Sequence, residues 1–253
     1  MGHPVSCPAP ATRVVSLVPS ITESLASVRR TAIVGATNWC THPGDLDATR
    51  VRGTKNPDLE LIGKLQPDLV IANKEENRRV DVERLRAAGV PVWVTDIESV
   101  PQAIDSLGRL LAQALGWPRP AWLDQVAQTW AGFAPARGRV VVPIWRDPWM
   151  VVGGGTFTTD LLRRLGWENA FAGLPRYPQV ELSAIDETGA DVVLLPDEPY
   201  EFTAEDGPEA FTATPTKLVS GRLLTWYGAS LLESWSTLSG STALDPDQPG
   251  QVD

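Results

Sequence analysis

One segment, residues 53–78, constrains the fold of this chain more than any other. It reads GTKNPDLELIGKLQPDLVIANKEENR. Pro57 suits the first turn of a helix, where its missing N–H is not needed, and apolar side chains follow it at helical spacing. Residues 66–68 have the chemistry of a turn, and residues 69–72 form an apolar run typical of a buried parallel strand. The segment therefore predicts a helix, a turn and a strand, followed by a polar loop at 73–78.

The rest of the chain alternates between strand and helix patterns, which is typical of parallel sheets. A strand at 14–18 leads into a helix at 21–28, for which Ser20 and Glu23 are predicted to form a capping box. The other predicted strands are 31–36, 91–95, 139–145, 191–196 and 222–226. The other predicted helices are 79–88, 99–115, 120–133, 157–165 and 229–239.

This order of elements predicts an α/β protein in which two lobes are joined by one helix. Each lobe has enough residues for its own hydrophobic core. The predicted limits are a flexible N-terminus at 1–12, an N-terminal lobe at 13–117, a bridging helix at 118–137, a C-terminal lobe at 138–240 and a disordered tail at 241–253.

Charge and composition exclude several classes of partner. The formal net charge is −9, and the chain has no run rich in Lys and Arg. Nucleic acid and anionic membrane surfaces are therefore not predicted as partners. No apolar stretch reaches the roughly eighteen residues that a membrane-spanning helix needs, so membrane insertion is not predicted either.

The first twelve residues, MGHPVSCPAPAT, lack the basic start and apolar stretch of an export signal. We therefore expect a cytoplasmic protein. An extracytoplasmic protein is expected instead if a signal segment has been removed from the chain. The two cysteines, Cys7 and Cys40, are expected to be free thiols.

Polar and aromatic side chains follow every predicted strand end, and ligands of open α/β sheets bind at that edge. Aromatic walls with a few polar groups predict a pocket for a sizeable, partly flat organic ligand. The predicted ligand-binding residues are Ser20, Trp39, Asn73, Glu75, Glu76, Asn77, Arg78, Trp145, Arg146, Trp149, Asp197, Glu198, Tyr200, Trp226 and Tyr227. The alternative is that Trp145, Trp149 and Trp226 are core residues between the lobes.

Two other kinds of site are compatible with the same loops. Cys40 and His42 could bind a metal ion together with a carboxylate, because thiolate and imidazole are good ligands. A buried thiol and a hydrogen-bonded imidazole are the favoured alternative, since a structural zinc site needs four ligands. A cytosolic enzyme could use Glu76, Asp197 or Glu198 as a general acid or base.

Six sequence motifs resemble those of the cobalamin and iron-siderophore substrate-binding proteins of ABC importers, the helical-backbone receptors. The resemblance covers about residues 12 to 240. The motifs are RVVSLVPSITE at 13–23, GAT at 35–37, GTKNP at 53–57, LQPDLVIA at 65–72, GWENAF at 166–171 and RYPQV at 176–180.

The resemblance implies two Rossmann-like lobes with parallel sheets, joined by a single long helix. It also implies a non-catalytic protein that holds a small organic or metal-chelate ligand, of the corrinoid or siderophore class, in the cleft between the lobes. The residues do not identify a cofactor. The resemblance implies that a corrinoid or a ferric chelate is the bound ligand. An ABC permease is the implied partner. The receptors dock the permease through one acidic residue on each lobe, and the matching positions here are Arg79 and Ser183.

Overall fold

The computed structural model describes residues 10–240, and these divide into two compact units. The first unit comprises the described part of Met1–Ile97 together with Pro101–Val126 and Tyr227–Ser230. The second comprises Glu98–Val100, Ala127–Trp226 and the described part of Leu231–Asp253. The predicted disordered tail at 241–253 and most of the predicted flexible N-terminus at 1–12 lie outside the described residues.

The first unit contains a five-stranded parallel sheet with helices along its connections. The strands of this sheet are β1 (Val14–Ser16), β2 (Ile33–Ala36), β3 (Thr49–Arg50), β6 (Leu69–Asn73) and β7 (Val92–Thr95). Two short strands, β4 (Arg52–Gly53) and β5 (Asn56–Pro57), form a separate antiparallel pair. The helices are α1 (Pro19–Arg29), α2 (Leu59–Lys64), α3 (Arg79–Ala87) and α4 (Val100–Arg109), the last of which continues as a π-helical turn at Leu110–Leu115. A further helix, α5 (Ala121–Thr129), begins in this unit and ends in the second.

The sheet order is β3-β2-β1-β6-β7, and all pairs in it are parallel. Every residue of β6 is buried, as its apolar run predicts. Val70 and Ala72 face a core that also contains Val15 and Leu85. Because the strands are parallel, the loops that follow them lie at one edge of the sheet.

The second unit contains a four-stranded parallel sheet, in the order β11-β8-β12-β13. Its strands are β8 (Gly138–Val141), β9 (Pro143–Trp145), β10 (Met150–Val151), β11 (Trp167–Asn169), β12 (Val192–Pro196) and β13 (Thr216–Val219). Its helices are α6 (Phe157–Arg164), α7 (Leu182–Asp186), α8 (Gly221–Thr225) and α9 (Leu231–Leu238). β9 and β10 form a separate antiparallel pair.

The α/β class and the parallel sheets in two lobes are confirmed, but several elements differ from the prediction. The strand predicted at 222–226 is the helix α8, and the fourth parallel strand is instead β13. A short apolar run cannot be assigned to helix or strand from its periodicity alone. The long helix predicted at 118–137 is the shorter α5, which lies between Pro120 and Gly132.

Two predicted helix starts are also wrong. Helix α1 begins at Pro19 with Val18 in the N-cap position, so Ser20 is not the cap of a capping box. Helix α2 begins after Asp58, whose side chain accepts a 3.0 Å hydrogen bond from the N–H of Leu61. An aspartate that satisfies a free N–H of the first turn is a strong N-cap, which explains why the helix starts there rather than at Pro57.

Within residues 10–240, no helix is both long enough and apolar enough to cross a membrane.

Candidate functional site

In the first unit, the buried side chain of Asn73 shapes the loop that follows β6. Its Oδ1 accepts hydrogen bonds from the backbone N–H groups of Glu75, at 2.8 Å, and Glu76, at 3.3 Å. Its Nδ2 donates to Oγ1 of Thr95 at 3.1 Å, which ties the end of β6 to the end of β7. The structure thus gives Asn73 an internal role, and a direct contact with a ligand stays a prediction.

Asn77, which is also buried, joins this loop to two others. Its Oδ1 accepts a 2.8 Å hydrogen bond from the N–H of Asn73. Its Nδ2 donates to the carbonyl oxygens of Leu17, at 3.3 Å, and Thr54, at 3.0 Å. One amide therefore holds together the loops after β1, β4 and β6, and its predicted contact with a ligand is likewise untested.

The charged side chains of the same loop make contacts that fix their positions. Lys55 donates to the carbonyl oxygen of Glu75. Arg78 forms a bidentate pair with the buried carboxylate of Asp81, at 2.7 Å and 3.1 Å. Since Asp81 lies in the first turn of α3, its negative charge is also placed favourably for the helix dipole.

Tyr227 is buried in the first unit. Burial raises its pKa well above the usual value, and the negative charges of Glu76 and Glu75 act in the same direction. The hydroxyls of Ser20 and Thr95 interact with the phenol and partly oppose this rise in pKa. The structure thus brings together four of the predicted residues, Ser20, Glu75, Glu76 and Tyr227, but it places the phenol and Ser20 in the interior.

Among the candidate residues of the first unit, Trp39 has a large and exposed side chain. It follows β2, and 65% of its surface is exposed. Its indole Nε1 lies over Gly53, 3.3 Å from the position that a Cβ atom would occupy there. An exposed indole of this size is unusual for a packed surface and is available to a flat ligand.

Cys40 and His42 point to different environments. Cys40 is buried, and its Sγ lies 3.1 Å from Oγ1 of Thr22 and 3.2 Å from Oγ1 of Thr37. Burial raises the pKa of this thiol, while the two threonine hydroxyls lower it. His42 is exposed, and its Nδ1 lies 3.1 Å from Oγ1 of Thr41. Over the part of the chain that the structure describes, no three His, Cys, Asp or Glu side chains are grouped so that they could hold a metal ion.

In the second unit, five rings form what we call the aromatic cluster: Trp145, Trp149, Tyr200, Phe202 and Phe211. Trp145 meets Tyr200 edge to face, with ring centroids 5.6 Å apart. Tyr200 lies 4.7 Å from Phe202, which stacks on Trp149 at 6.0 Å. Trp145 is 45% exposed, whereas Phe202 and Phe211 are buried. The cluster therefore has a buried base and an exposed indole at its edge.

Arg146 lies on this cluster, with its guanidinium 5.5 Å from the ring centre of Trp149. It donates to the carboxylates of Asp206 and Glu209. The hydrogen bond to Glu209 is the main reason why the pKa of Arg146 is raised, and the same contact lowers the pKa of Glu209. Tyr200 donates a 2.6 Å hydrogen bond to the other oxygen of Asp206.

Asp197 and Glu198 follow β12 and contact the start and end of α8. Asp197 accepts a 2.6 Å hydrogen bond from the N–H of Gly221, the first residue of that helix. Glu198 packs directly on Gly221, where a Cβ atom would overlap with it. Burial raises the pKa of Glu198, although hydrogen bonds from Trp226 and Thr225 lower it in part.

Trp226 is buried, so the alternative of a core residue describes it better than a wall open to solvent. Trp149 is half-buried within the aromatic cluster, and Trp145 lies at its surface.

Sequence reasoning missed Thr95, Phe202, Asp206, Glu209 and Phe211. The last four lie in residues 202–211, a segment after β12 that has no helix or strand of normal length. The aromatic and acidic composition of this segment was therefore the signal that could have identified them.

The fold and these loops define a two-lobed α/β protein of the binding-protein class. The periplasmic binding protein family matches residues 14–217, and the chain belongs to this family. The chain is 30% identical over 174 residues to the vitamin B12-binding protein of Salmonella choleraesuis (strain SC-B67), a match that covers 64% of this chain and 63% of the relative. The chain thus spans less than two thirds of that relative's length.

Solved structures with the same fold include proteins named for heme and for vitamin B12. The apo form of the periplasmic heme-binding protein RhuT from Roseiflexus sp. RS-1 has a TM-score of 0.78 at 23% identity and covers 94% of this chain and 100% of its own. The heme-binding protein BhuT in complex with two hemes has a TM-score of 0.73 at 25% identity and covers 92% of this chain and 98% of its own. The vitamin B12-binding protein BtuF of Vibrio cholerae has a TM-score of 0.70 at 18% identity and covers 94% of this chain and 99% of its own. These proteins are named as binding proteins, which agrees with the prediction of a binding protein rather than an enzyme.

Proposed function

We propose that this protein is a non-catalytic receptor for a metal chelate, with a corrinoid as the first candidate and a ferric siderophore as the second. Membership of the periplasmic binding protein family supports the general function. The name of the vitamin B12-binding relative, at 30% identity, supports the corrinoid. Heme is included as a third ligand to test, because a structure at 25% identity is described as a complex with two hemes.

The observation that carries the proposal is the exposure of two indoles in loops at the carboxyl ends of strands. Trp39 follows β2 and Trp145 ends β9, and their exposed fractions are 65% and 45%. Large apolar side chains left in water at such a sheet edge are typical of sites that bind flat organic ligands. We propose Trp39 and Trp145 as ligand contacts, each to be tested by itself.

The test is calorimetric titration of the purified protein with cyanocobalamin, ferrioxamine B and hemin, with native mass spectrometry to fix the stoichiometry. The proposal predicts one-to-one binding of cyanocobalamin or ferrioxamine B. Binding of hemin alone would replace the corrinoid and siderophore candidates with heme. The absence of heat and of a mass shift with all three ligands would contradict the proposal.

Variants then test the two contacts. Trp39→Ala and Trp145→Ala should each weaken binding by about tenfold, because truncation of an aromatic anchor costs more than about 1 kcal/mol. Phe133→Ala is a matched control, since Phe133 is also an exposed ring, at 57%, but already contacts the guanidinium groups of Arg163 and Arg164, at 4.9 Å and 5.0 Å from its centre. Unchanged affinity in both tryptophan variants would remove these residues from the site.

The partner implied by the family resemblance, an ABC permease, is a separate proposal. Arg79 is 91% exposed and pairs with Glu83, and Ser183 is exposed in α7. Since neither is acidic, docking at Arg79 would need an acidic surface on the permease. Arg79→Glu should then weaken a pull-down with the host's importer in nanodiscs, and Arg79→Lys should not. Equal capture of all three proteins would exclude Arg79 from docking.

The compartment is also a proposal. An importer partner requires a protein outside the cytoplasm, whereas an enzyme or receptor that works inside the cell requires a cytoplasmic one. Fractionation of host cells with an antibody to the protein separates these two outcomes.

A further inference from the structure

We infer that the ligand is neutral or cationic, and that the protein discriminates against anionic chelates of the same size. The inference rests on the proposed function, because it describes the ligand of that same site. It follows from two surfaces, each taken by itself: the aromatic cluster of the second unit and the loop at 73–78 of the first.

The basic group on the aromatic cluster is already neutralised. An arginine over an aromatic wall would ordinarily be the natural partner of a ligand carboxylate, since its planar fork binds carboxylates bidentately. Here the guanidinium of Arg146 donates to both Asp206 and Glu209. Asp206 is held in place by Tyr200, whose hydroxyl donates to it at 2.6 Å. A ligand carboxylate at this arginine would lie beside the carboxylates of Asp206 and Glu209, which would repel it.

The chain around the cluster adds further negative charge. Besides Asp206 and Glu209, residues 197–209 contain four acidic side chains, at 197, 198, 201 and 205, and neither Lys nor Arg. Asp147, which precedes Trp149 in the turn after β9, is 90% exposed. Glu201 and Glu205 are also exposed. Like charges near one surface lower the local concentration of anions and raise that of cations.

The basic side chains around the loop at 73–78 are engaged in the same way. Lys74 pairs with Asp96 at 2.9 Å, and Arg78 pairs with Asp81. Lys55 donates to the carbonyl oxygen of Glu75. A ligand anion would therefore meet cations that already have acceptors, together with the charges of Glu75 and its neighbour Glu76.

A neutral corrinoid, whose edge carries amides, satisfies this surface better than a chelate with carboxylates at its edge. Amide N–H groups can donate to carboxylates such as that of Asp197, whereas a second carboxylate would be repelled. These surfaces thus favour an amide-edged or ammonium-bearing chelate over one with propionates or catecholates.

Two matched ligand series test the inference. The first compares ferrioxamine B, which carries one ammonium group, with its N-acetyl derivative, which is neutral, and its N-succinyl derivative, which carries a carboxylate. The second compares cyanocobalamin with its monocarboxylic acid, in which one edge amide is hydrolysed. In the series that binds, we expect the anionic member to bind about tenfold more weakly than its neutral counterpart, and the gap to shrink between about 0.05 M and about 0.5 M NaCl because salt screens exposed charges.

Protein variants test the source of this preference. The double variant Glu201→Gln and Glu205→Gln should reduce the difference in binding affinity between the neutral and the anionic ligand. The double variant Glu168→Gln and Glu187→Gln changes the net charge equally but lies near Arg139, at the opposite end of β8 from Trp145, and should leave the gap unchanged.

The possible failures are distinguishable. Equal affinity across a series, or tighter binding of its anionic member, would overturn the charge inference and leave the proposed receptor function standing. Absence of binding by every member of both series would contradict the proposed function itself.

Discussion

Arg164 donates a 2.9 Å hydrogen bond from Nε to Oδ2 of Asp160, and the two side chains are only 9% and 10% exposed. The same carboxylate accepts hydrogen bonds from Arg163, at 2.6 Å, and from the N–H of Val100, at 2.9 Å. Burial alone would raise the pKa of Asp160, but these donors together lower it. The buried charges of Asp160 and Arg164 therefore compensate each other, and loss of either side chain would leave the other charge without its partner.

Asp160→Ala should lower the free energy of unfolding by about 3 kcal/mol, because Arg164 would be left buried without its carboxylate. Glu83→Ala is the control, since Glu83 pairs with Arg79 on the surface and should matter by less than about 1 kcal/mol. Urea unfolding followed by circular dichroism measures both. Equal effects of the two substitutions on the free energy of unfolding would show that the buried pair contributes no more to stability than the surface pair.

The raised pKa of Glu198 predicts how the stability of the protein depends on pH. Burial raises its pKa in the folded protein, so the folded state binds a proton more tightly than the unfolded chain does. Its contribution to stability is therefore complete below the carboxyl pKa of the unfolded chain and is lost as pH rises through the raised pKa. Glu198→Gln should remove this loss, because an amide oxygen still accepts from the Trp226 indole without carrying a charge.

The measurement is the Tm of both proteins between about pH 4 and about pH 8. The Tm advantage of Glu198→Gln should grow with pH. Glu201→Gln, at an exposed position of the same segment, should show no such growth. A Tm advantage that stays constant with pH, or falls, would contradict the assignment.

Gly228 makes a prediction about packing. Its φ is +125°, a conformation that favours glycine, and a Cβ atom there would overlap with Oγ of Ser24. The next residue, Ala229, donates its N–H to the same Ser24 oxygen at 3.1 Å, so the backbone cannot move away without losing that bond. Gly228→Ala should cost about 3 kcal/mol of stability through strain and overpacking.

Gly63→Ala is the matched control for Gly228→Ala. Gly63 lies inside α2, where an added Cβ would meet no atom within 4 Å. Alanine is the better helix former by up to about 1 kcal/mol, so this variant should be more stable than the parent chain. Thermal unfolding of the two variants decides the matter, and a Gly228→Ala protein as stable as the parent would be inconsistent with the packing described.

The sequence was sufficient for the α/β class and for most strands of the parallel sheets, but not for β13, for the helix starts or for the directions of the polar side chains. The apolar run before Asn73 correctly predicts β6, because burial on both faces of a parallel strand requires such a run. That Asn77 turns inward to bind backbone carbonyls depends on the loops after β1 and β4, which are distant in the chain. Periodicity carries no information on such pairings.

Neighbouring aromatic residues give the clearest example of what the sequence could not predict. Trp226 belongs to the second unit and Tyr227 to the first, although the sequence predicts both as ligand-binding residues. The two side chains have different partners: the indole of Trp226 interacts with Glu198, and the phenol of Tyr227 interacts with Ser20 and Thr95. A local sequence pattern cannot separate two adjacent aromatic residues that pack in different cores.

Asn77 provides a prediction about the loops at the sheet edge. Asn77→Asp keeps the acceptor for the N–H of Asn73 but removes both donors to the carbonyl oxygens of Leu17 and Thr54. We expect a loss of about 3 kcal/mol, because two buried carbonyls lose a partner and a charge is buried with them. Asn38→Asp, at an exposed position, should be nearly neutral. Hydrogen exchange should show faster opening of residues 73–78 in Asn77→Asp, and unchanged exchange there would contradict the proposed support.

Cys40 makes the last prediction, which concerns reactivity. Its thiol is buried against Thr22 and Thr37, and burial raises its pKa, so the reactive thiolate is scarce. In a Cys7→Ser background, alkylation of Cys40 by iodoacetamide should be at least about a hundredfold slower in the folded protein than in guanidinium, since the reaction requires local opening. Mass spectrometry of timed samples measures the rates.

The same experiment separates burial from metal binding at Cys40 and His42, because a bound zinc ion would also protect the thiol. Protection by burial should persist after dialysis against EDTA and in a His42→Ala variant, since His42 is exposed and Cys40 has its own hydroxyl partners. Protection that disappears with the chelator and with His42→Ala would instead support the metal site. Rapid alkylation of the folded protein under all conditions would exclude both a bound metal and the buried, threonine-lined thiol.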